Sequence, residues 1–231
     1  MLPWLEKHTP FPSLDQAMRD PNGLLAAGGE LSPERLLHAY QQGIFPWYNP
    51  GEPILWWSPD PRMVLYPEHF KVSRSLAKTL RKKRYEVRFD TAFTQVMQSC
   101  AAPRAGHSGT WISSDMIAAY THLHKLGYAH SVEVWDGDTL VGGLYGVALG
   151  RMYYGESMFS VVADGSKIAL AHLSKQLARW QFGMIDCQMH TTHLASLGAE
   201  LIPRDKFVSG LKELVNCAPV THWHFDPDLY P

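Results

Sequence analysis

The order of segments in this 231-residue chain predicts an α+β fold. A small N-terminal domain, residues 1–62, precedes a mixed sheet flanked by helices over residues 63–231. Three observations carry that reading. Turn residues crowd the first sixty positions: Asp20-Pro21-Asn22-Gly23, Gly28-Gly29, Asn49-Pro50-Gly51 and Ser58-Pro59-Asp60-Pro61. Apolar residues then alternate with period two from His130 to Ser157, and from Ser166 to Pro203 helix-like and strand-like segments follow one another.

The elements follow in order. Ser32 is a good N-cap, Pro33 suits the first helical position, and Leu36, Leu37, Ala39 and Tyr40 form an apolar stripe that Gly43 ends. Three of the eight tryptophans, Trp47, Trp56 and Trp57, lie within eleven residues. They make either a packed lid or a surface on which a nucleobase can stack. Ser73 to Arg84 is a basic helix in which Arg74, Lys78, Arg81 and Lys82 share one stripe. Tyr85 to Phe89 is a short strand. Asp90 or Thr91 is expected to cap a helix running through Met97 and Cys100. Pro103 to Thr110 is a loop. Ser113 or Ser114 opens a helix with Met116, Ile117, Tyr120, Leu123 and Leu126 apolar, stopped by Gly127.

His130 to Trp135 and Thr139 to Leu149 form a hairpin around Asp136-Gly137-Asp138. Gly142, Gly143 and Gly146 in its second arm imply a bulge or a close ligand approach. Met152 to Ser157 returns as a strand. A helix from about Ser166 to Phe182 turns Ile168, Leu170, Leu173, Leu177 and Trp180 inward. Met184 to His190 is a strand, Thr192 to Leu197 a helix ended by Gly198, and Ala199 to Pro203 a last strand. In a strand, Asp186 and Gln188 share a face and Cys187 takes the other. A carboxylate and an amide on an apolar strand need partners if buried, or they line a cavity.

Charge and composition narrow the function. The formal net charge is −1, yet Lys71 to Arg84 holds seven of the 21 basic residues and no acid, leaving 14 basic against 22 acidic residues elsewhere. Such a patch is either an anion or nucleic-acid surface or a solvated helix face. Met1 to Lys7 lacks the apolar core of a signal peptide, and the Val141 to Gly150 run is too short to span a bilayer. Cys100, Cys187 and Cys217 make no disulfide framework. Cys187, His190 and His193 lack the further ligands of a tetrahedral zinc site, so no metal is expected. A cytoplasmic enzyme without a membrane role is the expectation.

The meander, helix, strand, helix, strand order resembles the GCN5-related N-acyltransferases. The Val141-Gly142-Gly143 hairpin and the His-x-x-Ser-Leu-Gly-Ala stretch, His193 to Ala199, strengthen the likeness. In that fold the acyl donor enters where two strands splay. CoA-dependent members place a glycine-rich loop before the following helix, which binds pyrophosphate. Here Ser160 to Lys167 has one glycine and an aspartate, so CoA is not the expected donor.

Six segments together make a sharper match. They are Pro21-Asn22-Gly23-Leu24-Leu25-Ala26, Gly43-Ile44-Phe45-Pro46-Trp47, Trp56-Trp57-Ser58-Pro59-Asp60-Pro61-Arg62, Gly109-Thr110-Trp111-Ile112, Gly155-Glu156-Ser157-Met158-Phe159-Ser160 and Ile185-Asp186-Cys187-Gln188. In this order, from about Pro12 to Pro203, they resemble the leucyl/phenylalanyl-tRNA–protein transferases. The resemblance implies transfer of Leu or Phe from tRNA to proteins beginning with Arg or Lys, marking them for degradation. It implies no cofactor. Gln188 would contact the attacking amine and Asp186 would polarise Gln188; the plain alternative is a buried polar pair bonded to backbone. Glu156 would hold the α-ammonium of donor or acceptor, or else pair with a neighbouring Arg. Leu144, Tyr153, Met158 and Ile185 would shape an apolar pocket, with some Met accepted. Trp47 and Trp111 would enclose the terminal adenosine. Arg74, Lys78, Arg81 and Lys82 would meet acceptor-stem phosphates of leucyl-tRNA or phenylalanyl-tRNA. A monomer is expected. An acetyl-CoA-dependent acyltransferase and a non-catalytic tRNA-binding module are the alternatives.

Overall fold

The structure is a computed structural model that describes residues 1–102 and 111–229. The expected loop Pro103 to Thr110, with Gly109 and Thr110 of the fourth matching segment, lies outside the described residues.

The N-terminal unit is built on a four-stranded sheet, β1 (Trp4–Leu5), β2 (Leu24–Gly28), β3 (Phe45–Pro46) and β4 (Leu55–Trp57), in the order β1-β2-β4-β3. Its helix α1 (Pro33–Gln41) starts as expected: the Ser32 hydroxyl accepts the Arg35 backbone N–H, and Pro33 needs no donor there. Leu36, Ala39 and Tyr40 are fully buried. The tryptophans serve packing as well as the cleft described below: Trp56 is buried, and its indole N–H donates to Gly28 O at 2.8 Å.

The second sheet has seven strands, in the spatial order Glu200–Ile202, Arg62–Leu65, Met184–Asp186, Met152–Ser160, Thr139–Leu149, Ala129–Asp136 and Glu86–Phe89. The first of these along the chain, β5 (Arg62–Leu65), is fully buried. The basic helix α2 (Arg74–Arg81) is capped by Ser73 and leads to β6 (Glu86–Phe89). Helix α3 (Phe93–Ala101) has no side-chain cap; Ala92 holds that position. Neither expected cap is spare, because Thr91 donates to Glu133 and Asp90 accepts from Ser131 N–H and pairs with His130. Helix α4 (Ser114–Lys125) is capped by Ser113.

The meander β7 (Ala129–Asp136), β8 (Thr139–Leu149) and β9 (Met152–Ser160) follows, with β9 three residues longer than expected. Helix α5 (Gly165–Arg179) packs over it. A Cβ on Gly142 would sit 2.7 Å from the Gly165 backbone, so this close approach is to the helix start rather than to a ligand. Strand β10 is Met184–Asp186 only, not Met184 to His190. Gln188 has φ 55, which takes the chain out of the extended region, so the strand-face argument pairing it with Asp186 does not hold. The short helix α6 (Thr192–Ser196) and β11 (Glu200–Ile202) lead into α7 (Arg204–Leu214), a helix the sequence reading missed.

The sheet is mixed because β10 runs parallel to β9 and antiparallel to β5. Each face carries a core. Phe93, Val96, Met116 and Tyr120 pack with the N-terminal unit on one side; Ile168, Leu173 and Leu177 pack with Val132 and Tyr153 on the other. The tail beyond α7 closes the second core by stacking Trp223 on His130 and Phe225 on Phe89. No helix among the described residues is long and apolar enough to cross a membrane.

Candidate active site

Strands β9 and β10 are paired only from Met152/Met184 to Tyr154/Asp186. Beyond that point β10 stops while β9 continues to Ser160, and a cleft of about 1030 Å³ opens between them. Eight residues singled out from the sequence line it together: Trp47, Trp111, Leu144, Tyr153, Glu156, Met158, Ile185 and Gln188. They come from five separate stretches of the chain, so only the fold brings them together. Leu170 and Leu173 of α5 extend the apolar lining and were not foreseen as site residues. Trp47, Val161 and Met189 are exposed on its rim.

Glu156 owes its position to a bulge. Tyr145 pairs with Ser157 and Gly146 with Gly155, leaving Glu156 as the extra residue on β9. Its Oε1 accepts the Tyr40 hydroxyl at 2.7 Å and its Oε2 the Tyr120 hydroxyl at 3.3 Å; the two hydroxyls also bond to each other. Among the described residues no Arg or Lys forms an ion pair with it, against one of the two sequence readings. Burial therefore pushes the Glu156 carboxyl up to about 7, although both phenols stabilise the charged form. Tyr40 and Tyr120 were read from sequence as plain apolar helix positions. No local pattern distinguishes a tyrosine whose hydroxyl serves a residue over thirty positions away.

Asp186 does not line the cleft but lies directly behind it, fully buried. Its Oδ1 and Oδ2 receive Arg62 Nε and Nη2 at 2.8 and 2.7 Å. Oδ1 also accepts the backbone N–H of Gln188 at 2.9 Å. The contact between Asp186 and Gln188 is thus through the main chain. The side-chain nitrogen of Gln188 is buried against the cleft with no hydrogen-bond partner among the described residues. An orphaned buried amide calls for an explanation, and a substrate group in the cleft supplies one. Arg62 was quoted in a matching segment but given no role. The available signal was a lone arginine in the otherwise apolar run Arg62-Met63-Val64-Leu65, the complement a buried aspartate requires.

Two further groups bear on the chemistry. Burial raises the Cys187 thiol far above its ordinary range, so it stays protonated and is no nucleophile. Partial desolvation on the cleft wall lowers the His193 imidazole from its ordinary value, with Lys167 adding to the effect. No group of three or more His, Cys, Asp or Glu among the described residues is placed to hold a metal ion.

Arg74, Lys78, Arg81 and Lys82 stand outside the cleft, exposed on α2 and its C-cap. Thr79 of the same helix bonds Asp164 at 3.3 Å, and Asp164 in turn pairs with Lys167. The basic helix is therefore tied to the start of α5, whose Ser166 lines the cleft.

The family described as leucyl/phenylalanyl-tRNA protein transferase matches residues 64–212, and its N-terminal domain matches residues 29–60. A leucyl/phenylalanyl-tRNA–protein transferase of Nitrosomonas europaea is 62% identical over 228 residues, covering 98% of this chain and 96% of that protein. One of Nitrosospira multiformis is 64% identical, covering 94% and 93%. Among solved structures the likeness is distant. A GCN5-related N-acetyltransferase from Kribbella flavida aligns with TM-score 0.35 and 10% identity over 74% of this chain and 61% of the other. The chain belongs to the leucyl/phenylalanyl-tRNA protein transferase family, aminoacyltransferases that move an amino acid from tRNA to protein.

Proposed function

We propose that the cleft binds the aminoacyl end of leucyl-tRNA or phenylalanyl-tRNA and transfers the amino acid to the α-amine of proteins that begin with Arg or Lys. Met is transferred less well. The product carries a new N-terminal residue that destabilises it, as in the N-end rule. The observation that carries this reading is the unpartnered amide of Gln188 among aromatic and aliphatic cleft residues, with Glu156 on the same wall.

The chemistry asks little beyond positioning. An aminoacyl ester is already activated, so amide formation runs downhill. The amine nitrogen attacks the ester carbonyl, the C–O bond to the ribose breaks, and the proton lost by the amine ends on the departing ribose oxygen, leaving a free hydroxyl on the tRNA. Holding both reactants in register removes much of the entropic barrier. The Gln188 amide offers both a donor for the developing oxyanion and an acceptor for the amine N–H. A neutral amide is a poor base, so Gln188 orients and relays rather than retains the proton. Glu156, once ionised, draws in an ammonium group. Leu144, Tyr153, Met158 and Ile185 take the donor side chain, and the flexible thioether of Met158 suits two side-chain shapes. Trp47 and Trp111 flank the terminal adenosine, and the α2 cations draw the acceptor stem by charge, whatever its sequence. The protein works as a cytoplasmic monomer without a cofactor.

The test is transfer of radiolabelled Leu from charged tRNA to a peptide beginning with Arg, beside one beginning with Ala. Labelling of the Arg peptide alone is expected. Labelling of neither, with folded protein and intact charged tRNA, removes the transferase reading.

A further inference from the structure

We propose that Arg62 is a positioning residue: through Asp186 it fixes the backbone of Gln188, and with it the cleft-facing amide. The proposal rests on the transferase reading of Gln188. The geometry is that of a locked fork. Nε and Nη2 of Arg62 grip the two oxygens of Asp186, and Nη1 donates to Gly43 O at 3.0 Å. Both side chains are almost wholly buried, with relative exposures of 1% and 0%. The guanidinium lies over the rings of Phe45 and Phe207, 4.9 and 4.5 Å from their centres. The carboxylate is thereby oriented so that Oδ1 receives the Gln188 N–H at 2.9 Å.

Gln188 needs such a hold. It is a non-glycine residue at φ 55, a conformation that persists where surrounding structure imposes it. Its other main-chain group is held too, since Met63 N–H donates to Gln188 O at 3.2 Å. Arg62 and Met63, adjacent on β5, thus act on the two ends of one residue. Arg62 reaches further. Gly43 stands just before Phe45-Pro46-Trp47, which also line the cleft. One cation therefore bonds the segment that leads to Trp47 and, through Asp186, holds Gln188. A buried ion pair by itself is weak evidence of stabilisation, because apolar residues of similar size often replace one without loss of fold. What they cannot replace is the directed acceptor for Gln188 N–H. Lysine cannot either, since a single ammonium lacks the bidentate fork.

The experiment measures single-turnover transfer of labelled Leu and, separately, the Kd for charged tRNA. The variants are Arg62→Lys and the paired change Arg62→Met with Asp186→Leu, each made with Gln188 present and in a Gln188→Ala background. The apolar pair keeps the core filled should Arg62→Lys fail to fold, and thermal melting reports folding throughout. With Gln188 present, both variants are expected to slow transfer by about 10- to 100-fold while the Kd stays within about threefold, as for a misplaced reacting group. In the Gln188→Ala background the same changes should alter the residual rate by less than about twofold. An unchanged rate with Gln188 present overturns the proposal. So does a fall that persists undiminished without Gln188, which is the mark of a merely structural pair. Absence of transfer by the wild-type protein removes the transferase reading itself, a result distinct from either.

Discussion

Two carboxylates stand on neighbouring strands, Glu156 lining the cleft and Asp186 buried behind it, and their surroundings set them apart. Asp186 on β10 faces a buried guanidinium that takes both its oxygens. Glu156 on β9 bonds two phenols and, among the described residues, forms no ion pair, and burial pushes it up to about 7. Asp186 is consequently an anchor, with its lone pairs committed to Arg62 and the Gln188 backbone. Glu156 is the group whose charge can change near neutral pH and can answer to a substrate ammonium. Residue type alone does not tell two carboxylates apart; the partners do.

The largest effect expected from breaking this contrast comes from Asp186→Ala. It leaves Arg62 buried without a counter-charge, a loss of about 3–5 kcal/mol. Thermal melting should show a fall of roughly 10 °C, with transfer lost as well. A melting temperature within about 2 °C of wild type would mean that the pair contributes little to the fold.

Glu156→Gln tests the other side and should act in the opposite sense on stability. In the unfolded chain Glu156 titrates at its ordinary 4.5, and in the folded protein at about 7. Below pH 4.5 both states hold the proton and stability is intact. As pH rises toward 7 the unfolded chain releases the proton first, so folded-state stability declines and levels off above 7. Gln escapes that decline. The variant should match wild type near pH 4.5 and melt higher by roughly 5 °C at pH 8, although transfer falls. Equal melting curves at pH 8 would show that Glu156 is not buried in its charged form.

Tyr40→Phe sharpens the same point more gently. It removes a hydroxyl that favours the charged carboxylate, so the pH midpoint of aminoacyl-tRNA binding should move upward. The stability cost is about 1 kcal/mol for one hydrogen bond. A midpoint that moves down would mean the phenol serves the protonated form instead.

How much of this was legible in the sequence follows from the range of each interaction. Ser32 caps its helix as read, and Ser73 and Ser113, read as helix starts with Ser114 as the alternative to Ser113, cap theirs, because a cap depends on three residues. Six of the eight cleft-lining residues lie in the matching segments, Leu144 and Tyr153 on the strands beside them, and the fold gathers all eight. What escaped was non-local or depended on neighbours. Strand period alone carried the Met184 segment through to His190; the left-handed turn at Gln188 is imposed by Asp186 and Met63 and leaves no mark in the pattern. Helix α7 was missed although Phe207 and Leu211 bury one face. Arg62 and Tyr40 act on residues 124 and 116 positions away.

The exposed cations of α2 complete the contrast between buried and solvent-exposed charge. Arg62 is singular because its fork has one partner in one geometry. Arg74, Lys78, Arg81 and Lys82 lie in solvent, where each gains only a screened attraction to a phosphate and neighbours can substitute for one another. Removing one of them should therefore do least. Lys78→Ala is expected to weaken tRNA binding only a fewfold, equally for leucyl-tRNA and phenylalanyl-tRNA. It should also reduce the slope of log K against log salt by about 1. The four changes together should flatten that slope by about 3–4 while single-turnover transfer at saturating tRNA stays near wild type. A salt slope untouched by all four would place the acceptor stem elsewhere on the molecule and leave α2 a solvated face.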